Sequence, residues 1–322
     1  MRALITGVGG FAGSHLADYL VQHTDCRVWG ISRDADMRWV PPQVEWTNGD
    51  LRDREAVVAL LRALRPDVIF HLAAQAAVPQ SWRDPWGTLE VNIHMQTNLL
   101  SAIVELGLPA RILVVGSEQE YGAVQPEDLP IDEDTPFRPV SPYAVSKVAQ
   151  DMLGLQYFLS HKVAAIRVRP FPHIGPRQRP EFVAADFARQ IAEAEVGRRE
   201  PLVYVGNLSA ARDYTDVRDV VRAYWLLAEQ GVAGEVYNIG SGVARTVKSL
   251  LDGLIAHSRV AIRVEVDPAR FRPVDVPLTV ADPSRLKAAT GWQPQVPFEH
   301  TLRDILDDAR AAVAEAIANS QA

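Results

Sequence analysis

A serine, a tyrosine and a lysine are spaced for proton transfer in this 322-residue chain. Ser117 lies in "VGSEQEYG" (115–122), and Tyr143 and Lys147 lie in "SPYAVSK" (141–147). Tyr143 and Lys147 are four residues apart, so on a helix they share one face. A free tyrosine, with a pKa of about 10, is a poor acid or base at neutral pH. A fixed ammonium beside it stabilises the phenolate and lowers that value. Ser117 ends an apolar run, and its hydroxyl suits a bond to a substrate oxygen. Together the three are equipped to move a proton to or from an oxygen while a nicotinamide exchanges hydride with the same carbon.

Hydride chemistry requires a dinucleotide cradle, and "TGVGGFAGSHLADYL" (6–20) has the composition of one. Gly7, Gly10 and Gly13 are spaced G-x-x-G-x-x-G, and Gly7, Gly9 and Ala12 also read as G-x-G-x-x-A. Residues without large side chains let the backbone turn tightly and approach a pyrophosphate. The helix opening at Phe11 turns its free N–H groups and positive dipole end toward that anion. The cofactor ribose is expected at the end of the second strand, where Ser32 and Arg33 suit a 2′-phosphate. This favours NADP(H), with NAD(H) as the alternative because Asp34 and Asp36 follow closely. Asp50 and Leu51, after the third strand, are candidates for the adenine pocket; a plain turn role competes for Asp50.

Between Ser117 and Tyr121 stand Glu118, Gln119 and Glu120. An amide holds a hydroxyl but takes no proton at neutral pH. Neighbours on an extended segment point to opposite sides, so Glu118 and Glu120 are expected to be solvated or structural. His173, in "RPFPHIGP", has a packing role and a ligand role open to it.

These residues need a scaffold, and strand and helix patterns alternate from the start. Strands are expected over 2–6, 27–32, 44–48, 67–74, 111–117, 163–169 and 236–242. Helices are expected from 11 to 23, 53 to 64, about 84 to 106 and 141 to about 161. Ser141 is placed as an N-cap with Pro142 in the first helical position. Such strand–helix units imply an α/β fold, with a parallel sheet covered on both faces. Beyond Arg169 the pattern loosens into a loop, a helix over about 182–196, a helix over 247–257, a strand over 261–266 and a terminal helix ending near 319. The expected division is a dinucleotide-binding part, 1–169 plus about 209–242, and a smaller lobe, about 170–208 plus 243–322. Ligands in such folds sit beyond the carboxyl ends of the strands, here between the two parts.

Composition narrows the partners. Lys plus Arg number 33 against 40 Asp plus Glu, a net charge of −7, which argues against an extended nucleic-acid surface. The single cysteine, Cys26, allows no internal disulfide and no thiolate-rich metal site, and it is expected as a small, largely buried hydrophobe. No apolar run approaches membrane-spanning length. "MRALITG" runs directly into a strand and a glycine turn, leaving no room for a secretory leader; a cytoplasmic enzyme is the expectation.

The chain resembles the extended short-chain dehydrogenase/reductases, the superfamily of nucleotide-sugar epimerases, dehydratases and reductases. The resemblance covers essentially its whole length. It is carried by "TGVGGFAG", "HLAAQ", the set Ser117, Tyr143 and Lys147, "RDYTDVRDV", "YNIGSG" and "RPVDVP…TGWQP". Within the superfamily the chain is most similar to the GDP-4-keto-6-deoxymannose reductases, with the GDP-mannose 4,6-dehydratases next.

The resemblance implies a Rossmann-type doubly wound sheet with a smaller, discontinuous C-terminal lobe for the sugar nucleotide. It implies Ser117, Tyr143 and Lys147 as the catalytic set. For the cofactor it implies Gly7, Gly10, Phe11, Ala12, Gly13, Ser32, Arg33, Asp50, Leu51, Leu72, Ala73 and Ala74, beside Tyr143 and Lys147. Arg212 and Arg272 match positions that grip the diphosphate. Asn207, Leu208 and Val183 match the guanosine and ribose pocket, and Asp275 an acid near the ribose. Gln119, Glu120 and His173 face the sugar by the same analogy. The implied reaction is reduction of the C4 ketone of GDP-4-keto-6-deoxy-D-mannose to GDP-D-rhamnose. A 4-epimerase, a 4,6-dehydratase and a non-catalytic NAD(P)-binding protein are the alternatives. Dehydratases carry a Glu where this chain has Gln119, which disfavours that chemistry; similar reductases often keep a Glu there too, so Gln119 also departs from them. Pro172 stands where the family shows an Asn that bonds the substrate. A homodimer through a four-helix bundle is implied, built from the helices at about 84–106 and 141–161.

Overall fold

The structure, a computed structural model, describes residues 1–33, 36–271 and 276–321. The first half alternates strand and helix: β1 (Arg2–Thr6), α1 (Phe11–His23), β2 (Arg27–Ser32), β3 (Glu45–Asn48), α2 (Arg54–Leu64), β4 (Val68–His71), α3 (Val78–Arg83), α4 (Pro85–Glu105), β5 (Arg111–Val115), α5 (Pro142–His161) and β6 (Ala164–Pro170). With the strand Val236–Ile239 these form a seven-stranded sheet, ordered Val236–Ile239, β6, β5, β4, β1, β2, β3. Every pairing in it is parallel.

The pleat divides apolar side chains between the two faces. Ala3 and Ile5 of β1 join Val68 and Phe70 of β4 in one core, while Leu4 and Ile69 belong to the other. Both faces are covered, as parallel sheets require. Asp53 and Ser141 cap α2 and α5 by accepting from the N–H groups of Ala56 and Ala144, and Pro142 occupies the first turn of α5 as expected. The strand expected over 67–74 stops at His71. The chain turns there because the Ala73 N–H is drawn to Thr6 Oγ1, 3.1 Å away.

The remaining helices are α6 (Val183–Glu195), α7 (Val217–Gln230), α8 (Val247–Ala256), α9 (Ser284–Thr290) and α10 (Phe298–Gln321). A separate apolar cluster lies among α6, α8, α10 and the strand Leu202–Val205, with Phe187, Ile191, Val203, Leu250, Leu254, Leu302 and Leu306 buried in it. Short strands stitch this part to the sheet. His173–Ile174, in the stretch expected as loop, pairs with Thr215–Asp216. Ala211–Asp213 pairs with Ala244–Thr246 on one side and Leu278–Thr279 on the other. The Phe171–Pro172 bond is trans. Cys26 is half-buried against the core beside α1. No helix among the described residues is long and apolar enough to cross a membrane.

Asp213, wholly buried, ties three segments together. Its carboxylate accepts from the N–H groups of Ser241 and Gly242 at 2.8 Å and of Ala281 at 3.2 Å. Asp213→Ala strands these donors, and is expected to lower the unfolding free energy by roughly 3 kcal/mol or more, read from urea melts.

Candidate active site

The strand order reverses between β1 and β4, and the glycine turn sits at that switch point. Gly7 has φ +71°, a conformation that suits glycine, and its N–H donates to Ile31 O at 2.7 Å. A methyl on Gly7 would lie 3.0 Å from the backbone of Ala73, and one on Gly13 would overlap the Gly7 carbonyl oxygen. Leu72 and Ala73 thus lie against the turn at Gly7, with Ala74 next in the chain. The N-cap of α1 is Gly10, with no capping side chain and no acid in the first turn. Its opening N–H groups therefore fit a pyrophosphate.

Phe11 stacks on His173, with ring centroids 5.8 Å apart and planes 7° apart, and meets His15 edge-on. His15 Nε2 lies 3.0 Å from Pro176 O, and burial lowers its pKa to about 4. His173 Nδ1 lies 3.1 Å from Phe171 O, and burial lowers this ring also. Of the two roles open to His173, these contacts favour packing. The tie between α1 and the 173–176 loop was not legible from the sequence, because its partners are some 160 positions apart.

At the end of β2 the Ser32 side chain is buried and Arg33 is exposed. Ser32 Oγ stands 3.5 Å from where a methyl on Gly9 would be. Asp34 lies outside the described residues. Asp50 is gripped by Arg52, with Nη2 at 2.5 Å from Oδ2, and these bonds hold its carboxyl below the usual range. That supports its turn role. Leu51 is buried in the core, and its carbonyl accepts from Asn98 Nδ2 at 2.9 Å.

Ser117 follows β5, and Tyr143 and Lys147 stand on successive turns of α5. All three are buried, and the Ser117 side chain is near enough to Tyr143 to favour its ionised form. Lys147 Nζ donates to Val115 O at 2.9 Å and lies 5.9 Å from the Tyr143 ring centroid. Burial pulls Lys147 down to about 8. The expectation that Lys147 would lower the Tyr143 pKa is not met in this structure. Burial raises that phenol, the charges of Glu118 and Glu120 raise it further, and only the Ser117 side chain opposes them. The phenol holds its proton firmly. Asn92, missed in the sequence, braces α5: its Nδ2 donates to Ser146 Oγ at 2.9 Å, and Ser146 Oγ donates to Tyr143 O at 2.7 Å.

The segment Glu118–Glu120 forms a turn of 3-10 helix rather than an extended strand. Ser117 caps it: its Oγ accepts from the Gln119 N–H at 3.2 Å, and its own N–H donates to Glu120 Oε1 at 2.7 Å. Both acids are buried, so the solvated reading fails. Glu120 is wholly buried, 3.2 Å from Arg169 Nε, and its expected substrate contact is corrected to an internal one. The Gln119 amide donates to both oxygens of Glu118 at 2.8 and 2.7 Å.

Below the switch point, His71 Nδ1 lies 2.9 Å from Thr6 Oγ1. Burial lowers this ring to about 3. In the second part of the chain, Val183 opens α6 and Leu208 is half-buried, both against the apolar cluster there. Asn207 Oδ1 accepts from the Ser209 N–H at 2.9 Å. Arg212 stands in Ala211–Asp213, opposite Thr279, and donates to Ala211 O at 2.8 Å. Arg272 and Asp275 lie outside the described residues.

A family model described as GDP-mannose 4,6 dehydratase matches residues 4–305. The chain is 36% identical to GDP-6-deoxy-D-mannose reductase of Pseudomonas aeruginosa, across 98% of this chain and 99% of that protein. Among solved structures it is similar to RMD from Pseudomonas aeruginosa complexed with NADPH, with a TM-score of 0.84 and 34% identity over 97% of this chain and 99% of that one. It is also similar to UDP-glucose 4-epimerase of Thermus thermophilus in complex with NAD, with a TM-score of 0.86 and 32% identity over 97% and 100%.

Two pH effects follow. His15 and His71 are neutral in the fold with lowered pKa values, so the unfolded state binds more protons below its ordinary 6.5. Stability is therefore expected to fall as pH drops through 6.5, by roughly 2 kcal/mol per ring at pH 5, in chemical melts. Lys147 gives a slope of the same sign at high pH. Between about 8 and its ordinary 10.5 the unfolded state again binds more protons, so stability rises with pH. Relative to Lys147→Met, the native protein is expected to gain up to roughly 3 kcal/mol across that window.

Proposed function

The chain belongs to the GDP-mannose 4,6-dehydratase family, and we propose that within it this protein is a reductase, converting the C4 ketone of GDP-4-keto-6-deoxy-D-mannose to the alcohol of GDP-D-rhamnose. The observation that carries this reading is Gln119, an amide clasped to Glu118 at the place where dehydration demands a base. Removing a proton from C5 and expelling the C6 hydroxyl requires a group that takes and gives protons, and an amide does neither. Ketone reduction needs only one proton donor. The similarity to the Pseudomonas aeruginosa reductase supports the same choice.

The residues present fit a dinucleotide. Gly7, Gly10, Phe11, Ala12 and Gly13 would hold its pyrophosphate, and Ser32 and Arg33 the ribose end, which favours NADP(H) over NAD(H). When bound, the nicotinamide supplies the hydride that adds to C4. Tyr143, held as a neutral phenol by burial, donates its proton to the C4 oxygen. Ser117, beside Tyr143, polarises the carbonyl. Lys147, on the same face of α5, would hold the cofactor ribose. Residues about 170–208 and 243–322 form the lobe for the sugar nucleotide, with Val183, Asn207, Leu208, Arg212, Arg272 and Asp275 toward its nucleotide end. The diphosphate suits the guanidinium forks of the two arginines.

The protein acts as a homodimer through α4 and α5. Val145, Met152 and Leu159 of α5 are exposed at seven-residue intervals, one apolar stripe, with Val104 exposed on α4. The single, unpaired Cys26 accords with a reducing cytoplasm.

The test is an assay of NADPH and NADH oxidation with GDP-4-keto-6-deoxy-D-mannose, the product identified by NMR. Oxidation yielding GDP-D-rhamnose is expected, and absence of turnover despite cofactor binding would refute the assignment. Tyr143→Phe is expected to lower kcat/KM by about a thousandfold and spare cofactor binding. GDP-D-mannose incubated with the protein and NADP+ is expected to show no loss of water by mass spectrometry.

A further inference from the structure

Beneath the Tyr143–Lys147 face lies a pair of acids that the reaction above does not use. Tyr143, Lys147 and Asp151 stand on successive turns of α5 and share one side of it. Asp151, 1% exposed, accepts from Arg167 Nη1 at 2.5 Å and from Arg169 Nε at 2.8 Å. Glu120 enters the same space from the turn after β5, with Oε1 on the Ser117 N–H at 2.7 Å. Its Oε2 lies 3.2 Å from Arg169 Nε, yet has no well-directed hydrogen bond among the described residues. Gly116 makes the room, since a methyl there would overlap Glu120 Oε1. The chain forgoes a side chain to seat this acid directly behind Ser117.

We propose that Glu120 is a positioning residue: its carboxyl, held between Arg169 and the Ser117 N–H in the room that Gly116 leaves, fixes Ser117 through the backbone. The proposal rests on the reductase reading for the role of Ser117, but not for the seated acid itself. Burial lifts the Glu120 carboxyl well above the usual range, and the Asp151 charge adds to this while Arg169 opposes it.

Glu120→Gln and Glu120→Leu test this, because the amide oxygen of glutamine still accepts from the Ser117 N–H while leucine accepts nothing. Glu120→Leu is expected to lose kcat by about tenfold or more at every pH, with KM little changed, and Glu120→Gln to recover most of that loss. A folded leucine variant with native kcat overturns the proposal, as does a glutamine variant no better than the leucine one. Should the variants fail to fold, amide hydrogen exchange of the native protein decides. A Ser117 N–H protected from exchange is expected, and rapid exchange there overturns the proposal. A native protein that shows this protection but reduces no GDP-keto sugar would refute the reductase reading and leave the seated acid standing.

Discussion

Two guanidinium groups of β6, those of Arg167 and Arg169, close on the single carboxylate of Asp151, and this pairing sets the rotation and depth of α5 against the sheet. A buried ion pair contributes little net stability, because the desolvation of its members offsets their attraction. Its value here is geometric. Leucine and valine in the same places would pack as well over a range of helix rotations. A forked cation and a carboxylate accept only one. Two turns earlier on the same helix side stands Tyr143, so the angle set at Asp151 is the angle at which the phenol meets Ser117. Arg169 extends the constraint outward, donating to the Tyr121 hydroxyl and to Glu133 O. Tyr121 passes it on to Asn238 in the last strand of the sheet.

The scaffold was largely legible in the sequence, because its signals are local. The alternation in "RALIT" and "DVIFH" follows from the pleat, and Ser141-Pro142 marks the first residue of α5 through the chemistry of an N-cap. Gly7 and Gly13 announce the turn because a side chain would not fit there. What escaped depends on distant partners. The acids flanking Gln119 look like surface residues by composition, yet they are buried, because the 3-10 turn capped by Ser117 folds them inward, Glu120 to Arg169 and Glu118 to the Gln119 amide. The bracing of α5 by Asn92 and the tie from His15 to Pro176 have no local signature. The Tyr143 phenol also went against expectation, since spacing alone reports the neighbouring cation and not the depth of burial.

The same burial that prepares the chemistry weakens the fold. Lys147 and His71 are both drawn away from their ordinary protonation by loss of water. Such groups cost stability, and the surrounding apolar cores must offset them. The two apolar cores against the main sheet supply that offset. The site lies instead at the strand ends, where Ser117 and Tyr143 retain some access to solvent.

The clasp between Gln119 and Glu118 also bounds what one substitution at 119 can do. A carboxylate placed there would put two acids side by side and remove the amide donors that Glu118 now accepts from. The new acid would meet its neighbour's repulsion and a loss of hydrogen bonding in the same step. A working base at 119 therefore calls for a concerted change at 118: the two positions behave as one unit, not as two independent sites.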